Sequence, residues 1–399
     1  MQKRFENKKI ILGVCGGVAA YKSVDLARQL QQEGALVQVV MTESAQDFIG
    51  QQTFQAVTGF PVWTYTNDAS FERSMAHIDL SRWADMVVIA PATANFMAKM
   101  AHGMADDLLS LLCLMVDVPV LVCPAMNMHM WAHPATLANT KTLEERGILI
   151  VGPDSGSQAC GDVGLGRMRE PEWIMDAVEL APIYQILKGL RFVVTAGPTR
   201  EAIDPVRFIS NQSSGLMGYA LANALGFAGA EVVLISGPCH LAVPPGIEYV
   251  SVETAQEMYE AVVSHLKPQD IFLGVAAVCD FKINQPAEQK IKKQHQAAGL
   301  SLSLEPCVDI LKTVKENQLA KLVIGFAAET ENTLENAREK LNQKADIIIA
   351  NTVGQQLVFG QDSNQVCIVT KEQEIPLAKA NKLVIARQLV EFFKTHLNF

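Results

Sequence analysis

Twice in this chain a short β-branched run ends in a turn of small residues and passes at once into an apolar helical pattern. That repetition constrains the fold more than any other feature. The first instance is Lys9–Val14, the turn Cys15-Gly16-Gly17, then Ala19–Gln32. The second is Arg191–Thr195, the turn Ala196-Gly197-Pro198-Thr199, then Met217–Gly229. Strand, tight turn and helix in succession open a doubly wound α/β domain, and the turn offers its backbone to a ligand. Read singly, each Gly-rich turn is equally well a plain tight turn. Two openings of one kind predict two α/β domains in tandem, 1–185 and 190–399, joined over Pro182–Gly189.

A chain of 399 residues is long enough for two such cores. With 49% hydrophobic and 19% charged residues it reads as globular, without a long disordered tail. A net charge of −9 argues against non-specific nucleic-acid binding but leaves room for a local basic pocket. The eight cysteines stand singly, with no C-x-x-C pair, which fits a reduced cytoplasmic setting. The start, MQKRFENKKIILGVCGGVAA, imitates a signal peptide, yet glycines interrupt it and an amphipathic helix follows. Leu108–Met126 is nearly all apolar, but Asp117 and Pro119 divide it, so no membrane span is expected.

Further strands are predicted at Leu36–Met41, Asp85–Ala90, Pro119–Cys123 and Ile148–Val151. Helices are predicted over Ala45–Thr58, Thr93–Met100, Leu108–Leu114 and Ala135–Arg146. In a parallel sheet, ligands bind beyond the carboxyl ends of the strands. That rule selects Cys15-Gly16-Gly17, Thr42-Glu43-Ser44, Pro91–Asn95 and Pro124–Asn127, all rich in small, hydroxyl or amide groups. There is no G-x-G-x-x-G and no Walker A loop. His77, just before the third strand, fits a structural role as well as a chemical one. Gly152–Arg169 holds five glycines and Cys160; it is either a connector or a lid, and a thiol placed there favours the lid. His129 and His133 have metal-like spacing but no cysteine partners, so structural roles are expected.

In the second half strands are predicted at Glu231–Ser236, Ile271–Val275, Leu322–Phe326 and Ile347–Ala350, with helices over Ala255–Leu266 and Thr330–Gln343. Asp280 follows a strand, Lys290, Lys292 and Lys293 come close behind, and Lys340 and Lys344 lie one helical turn apart. A solvated face accounts for the KIKK run alone. A carboxylate beside two lysine clusters in an acidic chain looks instead like a nucleoside triphosphate site.

The segments GVCGGVAAYK, His77 ahead of APATAN, PAMNMHMW and GSQACGDVGLGRM resemble the flavin-dependent cysteine decarboxylases. With TAGPTREAIDPVRFISNQSSG, AAVCDF, KIKK and GFAAET, the resemblance extends over almost the whole chain. It is to the bacterial bifunctional phosphopantothenoylcysteine decarboxylase/phosphopantothenate–cysteine ligases of coenzyme A biosynthesis. It implies a flavodoxin-like flavoprotein domain followed by a Rossmann-like ligase domain. FMN would be held by Gly16, Gly17, Ser44, Ala92 and Thr93, with His77 catalytic, Asn127 orienting the substrate carboxylate and Cys160 supplying a proton. CTP would be bound by Gly274, Val275, Ala276, Asp280, Lys290, Cys307, Val308, Asp309, Ile310, Phe326, Lys340 and Lys344, with Asn211 handling the acyl intermediate. Mg²⁺ would be held mainly by the triphosphate. The implied substrates are 4′-phosphopantothenate, L-cysteine and CTP, and the implied assembly is a homo-oligomer with trimeric decarboxylase and dimeric ligase contacts.

Two positions depart from the family pattern. Ser213-Ser214-Gly215-Leu216-Met217-Gly218 lacks the lysine of SSGKMG, and Cys307-Val308-Asp309-Ile310-Leu311 stands for Asn-Pro-Asp-Ile-Leu. Two other readings compete. A regulatory flavoprotein without chemistry is opposed by the joint presence of His77, Asn127 and Cys160; a peptidyl-cysteine decarboxylase is opposed by the attached ligase half.

Overall fold

The computed structural model describes residues 3–64, 76–292, 300–329, 331–352 and 363–396. Lys293 and Thr330 lie outside the described residues. The chain forms two compact units, Met1–Pro182 and Ile183–Phe399.

In the first unit β1 (Lys9–Val14), β2 (Leu36–Met41), β3 (Trp63–Thr64), β4 (Met86–Ala92), β5 (Val120–Pro124) and β6 (Leu149–Ile150) make one parallel sheet. Its order is β3-β2-β1-β4-β5-β6. Apart from the two-residue edge strand β3, this is the flavodoxin arrangement, which reverses direction at β1. Ile10, Ile11, Leu12 and Val14 are fully buried, because helices cover both faces and leave no polar side for alternation. The helix Ala20–Gln32 buries Ser23, Leu26, Ala27 and Leu30, one helical stripe. Ser23 Oγ donates to the Ala90 carbonyl at 2.6 Å and ties that helix to β4.

The helix predicted over Ala45–Thr58 is broken. A 3₁₀ turn, Glu43–Asp47, precedes a helix at Gln51–Thr58, because Gly50 takes an extended conformation and caps the second piece. The Gly-rich stretch after β6 is ordered as an antiparallel hairpin, β7 (Asp154–Ser157) and β8 (Val163–Arg167). The helix Pro171–Leu180 closes the unit and was not predicted.

The second unit opens with β9 (Arg191–Ala196) and an antiparallel pair, β10 (Arg200–Ala202) and β11 (Phe208–Ser210). Next come β12 (Glu231–Ser236), β13 (Glu248–Ser251) and β14 (Ile271–Gly274), then a second antiparallel pair, β15 (Phe281–Ile283) and β16 (Leu304–Pro306). After β17 (Leu322–Glu329) and β18 (Ile347–Thr352), β19 (Ser363–Asn364) precedes β20 (Val366–Val369) and β21 (Glu374–Pro376), and β22 (Ala380–Asn381) pairs with β19. The main sheet runs β13-β12-β9-β14-β17-β18-β20-β21, parallel as far as β18 and antiparallel beyond it. Its parallel part has the Rossmann order, reversing at β9. The tandem doubly wound α/β architecture expected from the sequence is therefore present. The antiparallel edge and the helix Lys382–His396 were not predicted; the helix buries Leu389, Val390 and Phe393, and Phe393 stacks on Phe192 of β9.

The short connector expected over Pro182–Gly189 is packed. Gln185 and Leu187 donate their N–H groups to the carbonyls of Phe227 and Ala228, and Leu187 is buried. A fragment starting at Ile183 should therefore be more stable than one starting at Leu190, by about 2 kcal/mol from the Leu187 side chain alone. Equal denaturation midpoints for the two fragments would contradict this.

Candidate active sites

In the first unit the strand reversal opens a cavity of about 620 Å³. Its walls include Gly16, Gly17, Lys22, Thr93, Asn127 and Cys160. Each is set by a local feature. Cys15 N–H donates to the Pro91 carbonyl at 3.1 Å, which holds the turn after β1 against the end of β4. Gly16 lies so close to Ser44 that a Cβ would stand 2.5 Å from its Oγ, whereas a Cβ on Gly17 would meet no protein atom within 4 Å. Thr93 caps the helix Ala94–His102 by accepting from Phe96 N–H at 3.2 Å.

Asn127 caps the short helix Met128–Ala132: its Oδ1 accepts the His129 N–H at 2.8 Å. That bond turns Nδ2 toward the hairpin, where it donates to Asp162 Oδ2 at 2.9 Å and to Cys160 Sγ at 3.3 Å. The thiol of Cys160 in turn donates to Asp162 Oδ2 at 3.3 Å. The Asn127 and Cys160 hydrogen bonds hold the Asp162 carboxyl below the usual carboxylate range. The hairpin sits tightly on this segment: Gly166 has φ +152°, its carbonyl accepts the Met126 N–H at 2.9 Å, and a Cβ there would lie 2.2 Å from the Met126 oxygen. Cys160 is the one exposed cysteine of the chain; burial pushes the Cys113 and Cys123 thiols up to about 12.

Not every expected residue lines the cavity. Ser44 backs Gly16, and Ala92 is buried at the end of β4, its carbonyl taking the Ala125 N–H. His77 is half-buried in the helix Ala76–Trp83 and is not among the lining residues. Lys22 was missed, although it lies at the wall and pairs with Glu170 at 2.6 Å.

In the second unit β9 and β14 part at the reversal. Ala277 N–H donates to the Gly197 carbonyl at 2.9 Å, and Thr195 Oγ1 accepts from Val275 and Ala276 N–H at 3.2 and 3.3 Å. Asn211 Nδ2 donates to the carbonyls of Ala277 and Val278 at 3.0 and 3.1 Å, placing that amide at the same edge. Leu311 packs over Gly274 and Gly325, which brings the segment Cys307–Ile310 to the end of β14 and the middle of β17 beside it, where Phe326 also lies. Asp309 caps the helix Ile310–Glu316 through Lys312 N–H and pairs with Lys344 Nζ at 2.5 Å. Lys340 shares the helix Thr333–Lys344. Asp280 takes the Cys307 N–H on its backbone carbonyl, and burial pushes the Cys307 thiol up to about 11. At the other departure, Leu216 opens the helix Leu216–Phe227 behind Gly215, whose φ is +79°.

Lys290 is exposed, but the chain beside it is fixed. Asp204, buried, accepts Ile291 N–H at 3.2 Å, and Arg207 Nη2 donates to the Ile291 carbonyl at 2.8 Å. Arg207 binds Asp204 through both Nε (3.0 Å) and Nη2 (2.5 Å).

Residues 1–180 match the Flavoprotein family, and residues 187–396 match the DNA/pantothenate metabolism flavoprotein C-terminal domain. The coenzyme A biosynthesis bifunctional protein CoaBC of Vibrio parahaemolyticus is 45% identical over 96% of this chain and 97% of its own. That of Escherichia coli K12 is 45% identical over 96% of each. The chain belongs to the bifunctional coenzyme A biosynthesis family. A solved C-terminal domain of a CoaBC protein covers 54% of the chain and 98% of its own, at 40% identity and a TM-score of 0.46. As a member of that family, the chain is the two-activity enzyme expected from its motifs, a flavoprotein decarboxylase joined to a ligase. Among the described residues no helix is long and apolar enough to cross a membrane.

Asp162 and Asp204 lie within the segments GSQACGDVGLGRM and TAGPTREAIDPVRFISNQSSG, though neither stands out there as a site residue. Arg207 and three backbone N–H groups hold the Asp204 carboxyl far below the usual range. Its stabilisation is therefore complete above the ordinary carboxylate pKa and is lost as pH falls below it. Asp204→Asn should flatten the acid-unfolding curve of the second unit below about pH 4. It should also raise the ligase KM for nucleotide roughly tenfold, because the Ile291 anchor loosens. An unchanged KM would show that the anchor does not position Lys290.

Proposed function

We propose that the second unit joins L-cysteine to 4′-phosphopantothenate with CTP, and that the first unit decarboxylates the product to 4′-phosphopantetheine with FMN. The decarboxylase reading is carried by one observation: Asn127 and Cys160 lie 3.3 Å apart on the wall of one cavity. That cavity fits a flavin. Its size suits a cofactor of that class, and Gly17 and Thr93 offer backbone and hydroxyl where a side chain at Gly17 would intrude on open space. FMN supplies the electron sink that cysteine decarboxylation requires. Asn127 orients the substrate carboxylate with a neutral donor that does not resist its loss. The hairpin covers the site and excludes water, and Cys160 delivers a proton to the carbon that has lost carbon dioxide.

In the ligase half the 4′-phosphopantothenate carboxylate attacks the α-phosphorus of CTP, releasing pyrophosphate. The cysteine amine then attacks the acyl carbon, CMP leaves, and the amine loses its proton. Lys290, Lys340 and Lys344 are assigned to the triphosphate, Gly274–Ala276, Asp280, Cys307–Ile310 and Phe326 to the nucleotide, and Asn211 to the acyl group. Mg²⁺ accompanies the triphosphate.

His77 stands apart from the cavity wall of its own chain, and we assign it to the cavity of a neighbouring copy in a trimeric decarboxylase. His77→Asn and Cys160→Ser, each unable to form the saturated thiol product, should then complement when co-expressed, restoring product formation at roughly one quarter of the sites. No complementation would place His77 in its own chain's site. His77→Asn should leave ligation nearly intact. In a single turnover Cys160→Ser should release carbon dioxide yet accumulate an oxidised product in place of the saturated thiol.

The ligase should turn over with CTP and not with ATP at equal concentration. Comparable rates with both would remove the base assignment.

A further inference from the structure

We propose that Asp162 is an internal stand-in for the substrate carboxylate, occupying its subsite on Asn127 until substrate displaces it. The inference rests on the reading of Asn127 as the carboxylate-binding amide and adds to it a residue that sets when the subsite is open. An amide nitrogen carries two hydrogens, and here both are used: one reaches Asp162 Oδ2 at 2.9 Å, the other Cys160 Sγ at 3.3 Å. The amide cannot turn to offer more, because its Oδ1 is held by the His129 N–H at 2.8 Å. Asp162 is half-exposed, and its backbone carbonyl accepts the Gln158 N–H at 2.8 Å, so the hairpin presents the carboxylate from a fixed turn.

A substrate carboxylate arriving at Asn127 meets a carboxylate already there. Two such charges on one amide repel, so Asp162 must move off. Cys160 bonds to the same oxygen and moves with it. When carbon dioxide leaves, its electron pair and charge pass to the sulfur end of the remaining fragment, no carboxylate is left to hold the amide, and Asp162 returns with Cys160 beside it. The stand-in thus ties arrival of the thiol proton to departure of the carboxylate, and it favours the decarboxylated product in the closed state.

The test uses the full chain loaded with FMN and two probes that lack the reactive thiol: 4′-phosphopantothenoylserine and its decarboxylated counterpart. Their dissociation constants are measured by calorimetry for the unaltered protein and for Asp162→Ala, Asp162→Asn and Asn127→Ala. Removing the stand-in should tighten the acid about fivefold in Asp162→Ala and leave the decarboxylated probe unchanged. Asp162→Asn, which keeps the shape without the charge, should tighten the acid in the same direction and guards against a folding defect in the alanine variant. Weaker acid binding in both Asp162 variants, or equal shifts for both probes, would make Asp162 a structural residue and overturn the proposal. If Asn127→Ala weakens the acid while the Asp162 variants fail to tighten it, only the stand-in is lost. If Asn127→Ala leaves both probes unaffected, the carboxylate reading of Asn127 fails and the stand-in falls with it.

Discussion

Backbone approaches that admit no side chain fix where each sheet opens. At Gly218 a Cβ would stand 2.5 Å from the Cβ of Ala196, so the helix Leu216–Phe227 sits hard against β9. At Gly16 it would collide with Ser44, so the turn after β1 closes on the loop after β2. With the central strand pinned on one side, its other neighbour, β4 or β14, connects away in the opposite direction, and a crevice forms between the two connections. The fully buried runs of β1 and β9 supply the stability that lets these loops stay polar and partly exposed.

The hairpin β7–β8 is held to the first crevice differently. Its contacts include Gly166 on Met126, Gly164 on the Met128 side chain, Gln158 Oε1 accepting from Met128 N–H at 3.1 Å, and the Asn127 amide. Its outer face carries Val163 and Leu165, 70% and 50% exposed, which contribute little burial. A few hydrogen bonds and scant apolar area describe an element that opens at low cost, as a cover over a reacting site requires. Strand pairing within the hairpin holds the ends of the turn that carries Cys160 and Asp162.

Much of this was legible because parallel α/β sheets write themselves plainly: apolar strands, helical stripes, small residues at the strand ends. Of the residues that selection rule picked out, Gly16, Gly17, Thr93 and Asn127 meet around one cavity, while Ser44 and Ala92 stand behind its wall. What escaped was of another kind. The hairpin is too rich in glycine to read as strand, since its pairing is specified by contact with Met126 and Met128 and not by side-chain alternation. The break at Gly50 is hidden inside a good helical pattern, and β20 and β21 are short edge strands whose place depends on β18. Asp162 and Asp204 look like ordinary surface acids in sequence; only folding brings Asn127 to one and the Ile291 backbone to the other.

Both proposed sites meet the same physical problem, how polar groups assigned to a ligand are kept from standing unsatisfied before it arrives. In the first unit the Asn127 amide is covered by Asp162, and in the second the Lys344 ammonium is covered by Asp309. Each carboxylate is also anchored, Asp162 by the turn of the hairpin and Asp309 by the helix it caps, so neither swings far when released. A covered group costs the empty protein less than an exposed charge or a bare buried donor would. It also raises the threshold for binding, because an incoming anion must outcompete a tethered one. On the proposed assignment, a triphosphate would bring several charges against the single one of Asp309 and exchange readily. A lone substrate carboxylate proposed to bind Asn127 would be evenly matched with Asp162, so its advantage would have to come from the rest of the molecule, which would make the first site the more selective for whatever carries the carboxylate.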